Sequence, residues 1–141
     1  VEKATEIGVD KIFPLICSRS ERKTVKTERL KNIAIAALKQ SQTLFLPEIS
    51  EPVLFNDYLK RYNSEQKFIC TCEAKASHYL KSLCKPNQNY SILIGPEGDF
   101  SPEEIKLALE NNFVEASLGS TRLRTETAGI IACSLVRFMN E

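Results

Sequence analysis

The sequence has a single histidine, His78, with no acidic cluster around it. The donor set of a zinc or iron site is therefore missing, and no metal is expected. His78 itself reads as a surface helix residue. Charge of one sign is not in excess: 19 basic side chains stand against 18 acidic ones, so net charge does not announce a nucleic-acid binder. Five cysteines are an odd number and show no pairing pattern, which points to reduced thiols. No signal peptide and no long apolar run are present, so no membrane span and a cytoplasmic location are expected. The Gly-x-Gly-x-x-Gly fingerprint and the Gly-Lys-Ser/Thr ending of a P-loop are also absent, which leaves a nucleoside triphosphate or NAD poorly supported. No repeat, linker or low-complexity segment interrupts the 141 residues, a length that suits one domain with a real core. Val1 falls inside what reads as a helix, which suggests a piece of a longer chain.

What is present is concentrated between Ser91 and Ala128. An apolar run, Ser91 to Ile94, breaks into Gly95-Pro96-Glu97-Gly98-Asp99-Phe100. Ser101-Pro102-Glu103-Glu104 then carries the marks of a helix start, with Ser101 as cap, Pro102 at the first position and Glu104 completing a capping box. A second apolar run, Phe113 to Leu118, ends in Gly119-Ser120-Thr121-Arg122-Leu123-Arg124-Thr125-Glu126-Thr127-Ala128. Two strands thus each end in a special loop that feeds a helix. In open α/β sheets ligands bind at the carboxyl ends of strands. Gly95 and Gly98 would permit positive φ and close approach of a ligand to the backbone, and Pro96 would stiffen the turn. An ordinary pair of turns, with Arg124 and Glu126 as a salt bridge at a helix cap, is the alternative.

The rest of the chain reads as strands alternating with helices, which predicts a parallel sheet covered on both faces. Val1 to Ile7 is a helix end stopped by Gly8, and Lys11 to Cys17 is a strand containing Pro14. Ser18 to Lys31 is the most basic region. Thr27 is the expected N-cap of a helix reaching about Thr43, with Leu30, Ile33, Ala34, Ala37 and Leu38 on its buried face. Residues 48–66 read as a connection with a short helix, Asn56 to Tyr62. Lys67 to Cys72 is a strand, Glu73 to Cys84 a loop and helix, Lys85 to Asn89 a turn. A helix from about Glu126 to Met139 closes the chain.

Gly95-Pro96-Glu97-Gly98-x-Phe100-Ser101, followed by Leu118-Gly119-x-x-x-Leu123-Arg124-Thr125-Glu126-Thr127-Ala128, resembles the RsmE family. These are small-subunit ribosomal RNA uridine N3-methyltransferases of the SPOUT class. Lys3 to Val9 resembles the family's opening helix, Ser18-Arg19-Ser20-Glu21-Arg22 its basic loop, and Ala36 to Pro47 its Ala-x-x-Gln-Ser…Leu-Pro segment. The resemblance covers essentially the whole chain. The sequence departs from it at Asp99, where the family has glycine, at Thr43, where it has arginine, and within Leu118 to Arg124.

The resemblance implies a SPOUT-type parallel sheet flanked by helices, with a C-terminal trefoil knot, as one methyltransferase domain over residues 1–141. It implies a homodimer and an N-terminal PUA-like RNA-binding domain that this sequence lacks. The implied cofactor is S-adenosylmethionine, held by Thr71, Cys72, Gly95, Pro96, Glu97, Gly98, Leu118, Gly119, Ser120, Leu123, Thr127 and Ala128. Small-subunit ribosomal RNA would be the substrate, gripped by Arg19, Arg22, Lys23 and Gln40. Because uracil N3 carries a proton, a base is needed, and Glu126 is the candidate, or an anchor for Arg124. Arg22 and Arg124 would steady the developing uracil anion or hold phosphates. The target must be unpaired or flipped out. A SPOUT enzyme acting on another RNA, a non-catalytic RNA-binding module built on Arg19 to Lys31, and a Rossmann-like nucleotide enzyme are the alternatives.

Overall fold

The computed structural model describes residues 1–21 and 23–141. Gln66–Cys70 (β5) is central, with Tyr90–Ile94 (β6) and Val114–Ala116 (β7) parallel on its two sides. Their alternation covers both faces of this sheet. Ile69 and Leu93 point into one cluster with Phe55, Tyr58, Leu59, Phe100, Ala108 and Phe113. Phe68 and Cys70 point into a second, with Leu80, Cys84, Ala116 and Ala132. The helices Phe55–Arg61 (α3) and Pro102–Glu110 (α5) contribute to the first cluster, while Leu80–Leu83 (α4) and Thr125–Asn140 (α6) contribute to the second. The expected two-sided burial is observed.

The N-terminal half differs from the sequence reading in its strands and in the ends of its long helix. Lys11 to Cys17 forms two short strands, Lys11–Ile12 (β1) and Leu15–Ile16 (β2), interrupted at Phe13-Pro14. Residues 48–66 are not merely a connection. Glu48–Ile49 (β3) pairs parallel to β1, and Val53–Leu54 (β4) pairs parallel to β2. Pro52 interrupts this second line as Pro14 interrupts the first, because proline offers no N–H to a ladder. Two-residue strands are too short to display an alternation, so the sequence does not announce them.

Glu2–Ile7 (α1) ends at Gly8 with φ 97, as Gly8 suggests. Thr27–Ser41 (α2) is shorter than expected and stops at Gln42, whose φ is 56. Thr27 is not the N-cap. It is the first helical residue, after Lys26, and its hydroxyl donates to Glu51 Oε2 at 2.8 Å. Ala34 and Ala37 are buried and Leu30, Ile33 and Leu38 half-buried, in line with the helical spacing. α6 begins one residue earlier than expected and ends one later. Only Ala132 is fully buried along it, and Phe138 is 74% exposed. His78 is exposed in a 3₁₀ turn, Ala76–His78. Among the described residues no helix is long and apolar enough to cross a membrane.

Candidate functional site

The two special loops follow β6 and β7, so both emerge from the carboxyl edge of the sheet. The end of β5 runs into Thr71 and Cys72 at the same edge. Ser101 and Glu104 form the capping box that starts α5: Ser101 Oγ accepts from Glu104 N, and Ser101 N donates to Glu104 Oε2 at 2.9 Å. The turn before it closes with Asp99 N donating to Pro96 O at 2.9 Å. Positive φ does not fall on Gly95 or Gly98. It falls on Asp99, at 60, and on Gly119, at 143. Gly95 is needed for space instead. A Cβ there would lie 3.0 Å from Asp99 Oδ1 and 3.2 Å from the Phe100 ring. At Gly119 a Cβ would meet nothing within 4 Å, so that glycine serves its backbone angle alone.

Hydrogen bonds clasp the three strand ends together. Cys72 N donates to Asp99 Oδ2 at 2.9 Å, tying the β5 loop to the β6 loop. Thr125 Oγ1 donates to Gly95 O at 2.8 Å, tying the start of α6 to the same loop. Arg122 Nη2 reaches Glu97 O at 3.4 Å. Between them lies a cleft of about 390 Å³, within the usual range for small-molecule sites. It brings together ten of the twelve expected cofactor residues: Thr71, Cys72, Gly95, Pro96, Glu97, Leu118, Gly119, Ser120, Leu123 and Ala128. Gly98 and Thr127 do not line it. Ala128 and Thr125 are three apart and share one helix face, whereas Thr127 falls off that face.

Thr125 and Asp99 also line the cleft, though neither is among the twelve expected cofactor residues. Thr125, one of the polar residues that close the second loop, is the first residue of α6. Thr71 lines the cleft with its hydroxyl already engaged, donating to Glu115 Oε1 at 2.6 Å. Cys70 and Cys72 both line it as thiols. Burial pushes the Cys70 thiol up to about 12. Burial, then the Asp99 carboxylate, pushes that of Cys72 up as well.

The charged candidates sit apart from the cleft floor. Arg124 precedes α6 and Glu126 lies in its first turn, both exposed and neither lining the cleft. Among the described residues no ion pair joins them. Arg19 is turned inward to the loop. Its Nη1 donates to Gly98 O at 2.7 Å and to Phe100 O at 3.4 Å. Ser18 N and Oγ donate to the two oxygens of buried Glu104, at 2.8 and 3.1 Å. The basic loop is therefore anchored on the loop that follows β6. Lys23 and Gln40 are exposed; Arg22 lies outside the described residues. Among the described residues no cluster of His, Cys, Asp and Glu could hold a metal ion.

An RNA methyltransferase domain model matches residues 1–137. The ribosomal RNA small subunit methyltransferase E of Rickettsia conorii is 36% identical, over 99% of this chain and 58% of its own length. A structure from Legionella pneumophila, solved with bound SAM, superposes with TM-score 0.91 at 32% identity, over 99% of this chain and 59% of that one. The ribosomal RNA small subunit methyltransferase E of Neisseria gonorrhoeae, also bound to S-adenosylmethionine, superposes with TM-score 0.89 at 28% identity, over 99% and 59%. The chain spans less than two thirds of the length of each. A family match over nearly every residue, on a fold shared along its whole length, leads to one conclusion: this chain belongs to the RNA methyltransferase domain family.

Proposed function

We propose that this domain methylates N3 of a uridine in small-subunit ribosomal RNA, using S-adenosylmethionine. The observation that carries the reading is the cleft made where three parallel strand ends are clasped by Cys72–Asp99 and Thr125–Gly95. The residues present suit the cofactor. Ile94, Pro96, Leu118, Leu123 and Ala128 offer apolar wall, and Glu73, Glu97 and Asp99 offer carboxylates to a cation. When bound, the cofactor supplies an electrophilic methyl group on a sulfonium. The protein's own task is to hold that group in line with a nucleobase and to receive the N3 proton. Glu126, exposed in the first turn of α6, is the proposed acceptor, and Arg124 beside it the proposed partner of the uracil anion or a phosphate. Lys23, Gln40 and Arg22 remain the proposed RNA contacts, with Arg19 acting through the loop it holds.

Residues 1–141 are proposed as the methyltransferase domain of a longer cytoplasmic enzyme whose PUA-like domain precedes it. A C-terminal trefoil knot is proposed for it on the strength of the RsmE resemblance. A homodimer is proposed as well, supported by the largely half-buried face of α6 and the exposed Phe138. Calorimetric titration with S-adenosylmethionine, followed by methyl transfer to small-subunit RNA and mass mapping of the modified base, tests the function. Binding and methylation at uridine N3 are the expected result. Methyl groups placed on ribose or on another base would overturn the N3 assignment.

A further inference from the structure

Charge sets one residue of the cleft apart. Among the described residues, its carboxylate and guanidinium lining is Glu73, Glu97 and Asp99 against Arg122. Glu73 and Glu97 are exposed, where water and salt screen them. Asp99 is half-buried, and its carboxylate is fixed on both sides. Oδ2 accepts from Cys72 N at 2.9 Å and Oδ1 from Phe100 N at 2.8 Å. The left-handed backbone at φ 60 and the missing side chain of Gly95 give it its place. Each oxygen keeps a free lone pair. A fixed, partly desolvated anion favours a cation over a neutral molecule of the same shape.

A sulfonium and the thioether left after its methyl departs are such a pair. They share one skeleton and differ by a methyl group and a positive charge. We propose that Asp99 is the specificity residue that makes this cleft prefer the cationic sulfonium cofactor to its neutral thioether product, an inference that rests on the cofactor reading above. Transfer of the methyl removes the charge that the carboxylate attracts, so the spent product is held less tightly than fresh cofactor.

The test is calorimetry of the wild-type chain and Asp99→Asn with three ligands: S-adenosylmethionine, S-adenosylhomocysteine, and sinefungin, whose amine replaces the sulfonium by another cation. Asparagine keeps the shape and one acceptor oxygen while removing the charge; its amide nitrogen gives up one of the two backbone bonds, a change that bears on all three ligands alike, so the readout is the ratio of cation to thioether affinity. The expected result is a ratio of cation to thioether affinity that falls about tenfold for both cations. Equal weakening of all three ligands would reduce Asp99 to a strap between loops and overturn the proposal, as would no change at all. Should the asparagine variant fail to fold, Asp99→Gly, which accepts φ 60 freely, removes the charge together with both backbone bonds, and the same ratio of cation to thioether affinity is read. A wild-type chain that binds none of the three overturns the cofactor reading itself, an outcome distinct from a loss of discrimination.

Discussion

Glu104 shows how one side chain can serve two distant segments. It closes the capping box of α5 through Ser101, a local role that Ser-x-x-Glu spacing announces. Its two oxygens also accept the amide and hydroxyl of Ser18, 86 residues away, and that pairing has no local sign. The carboxylate is 8% exposed and meets only donors. Glu104→Gln would place an amide N–H against one of them. The expected cost is about 2 kcal/mol, set by an unmade buried hydrogen bond, and read as a lower urea midpoint with unchanged slope. Wild-type stability in the glutamine variant would show that Ser18 is not held there. Asp99 was similarly half-legible. Its tolerance of a left-handed backbone could be read from residue type, but its bond to Cys72 depends on which strands are neighbours.

At the scale of elements, the legible parts were those long enough to repeat. β5, β6, α2, α5 and α6 show their period over five residues or more, and their order was recovered. β3 and β4 have two residues each, and proline breaks both interrupted lines, so pairing rather than pattern defines them. The start of α6 lies between these cases. The helix is legible and Thr125 is one of the polar residues at its start, but the sequence does not say which of them docks it. Thr125 Oγ1 is the link by which α6 positions the loop after β7 against Gly95. Thr125→Ala should loosen that joint and weaken cofactor binding about threefold, for a stability loss of about 1 kcal/mol. Thr125→Ser keeps the hydroxyl and should restore the affinity. Calorimetry of the pair checks the joint, and a serine variant as weak as alanine would assign the effect to the lost methyl instead.

Across the whole molecule, the sheet separates two cores, and each contains a buried thiol. Cys17 belongs to the cluster on the α3 and α5 side, and Cys70 to the cluster on the α4 and α6 side. Burial pushes both up to about 12 from 9.0, with Glu104 adding to the effect at Cys17 and Cys84 at Cys70. Oddness of the cysteine count pointed to free thiols, and all five are free. Their burial, however, follows only from the packing of both faces. Folded-state values raised above the unfolded ones fix the sign of the pH dependence. Below about pH 9 both states hold the proton and the contribution is complete; above it the unfolded chain ionises first, so stability falls as pH rises towards about 12. Each thiol adds a slope of up to about 1.4 kcal/mol per pH unit in that window. Urea midpoints should therefore be level near pH 8 and decline beyond about pH 9. Tyrosines and lysines also titrate there, so the informative quantity is the difference between wild type and Cys70→Ala. The alanine variant should start less stable at about pH 8, through the small cavity it leaves, and lose stability more slowly with rising pH. Parallel declines in the two proteins would mean that the Cys70 thiol ionises as readily in the fold as outside it, and that this face of the sheet is open to water.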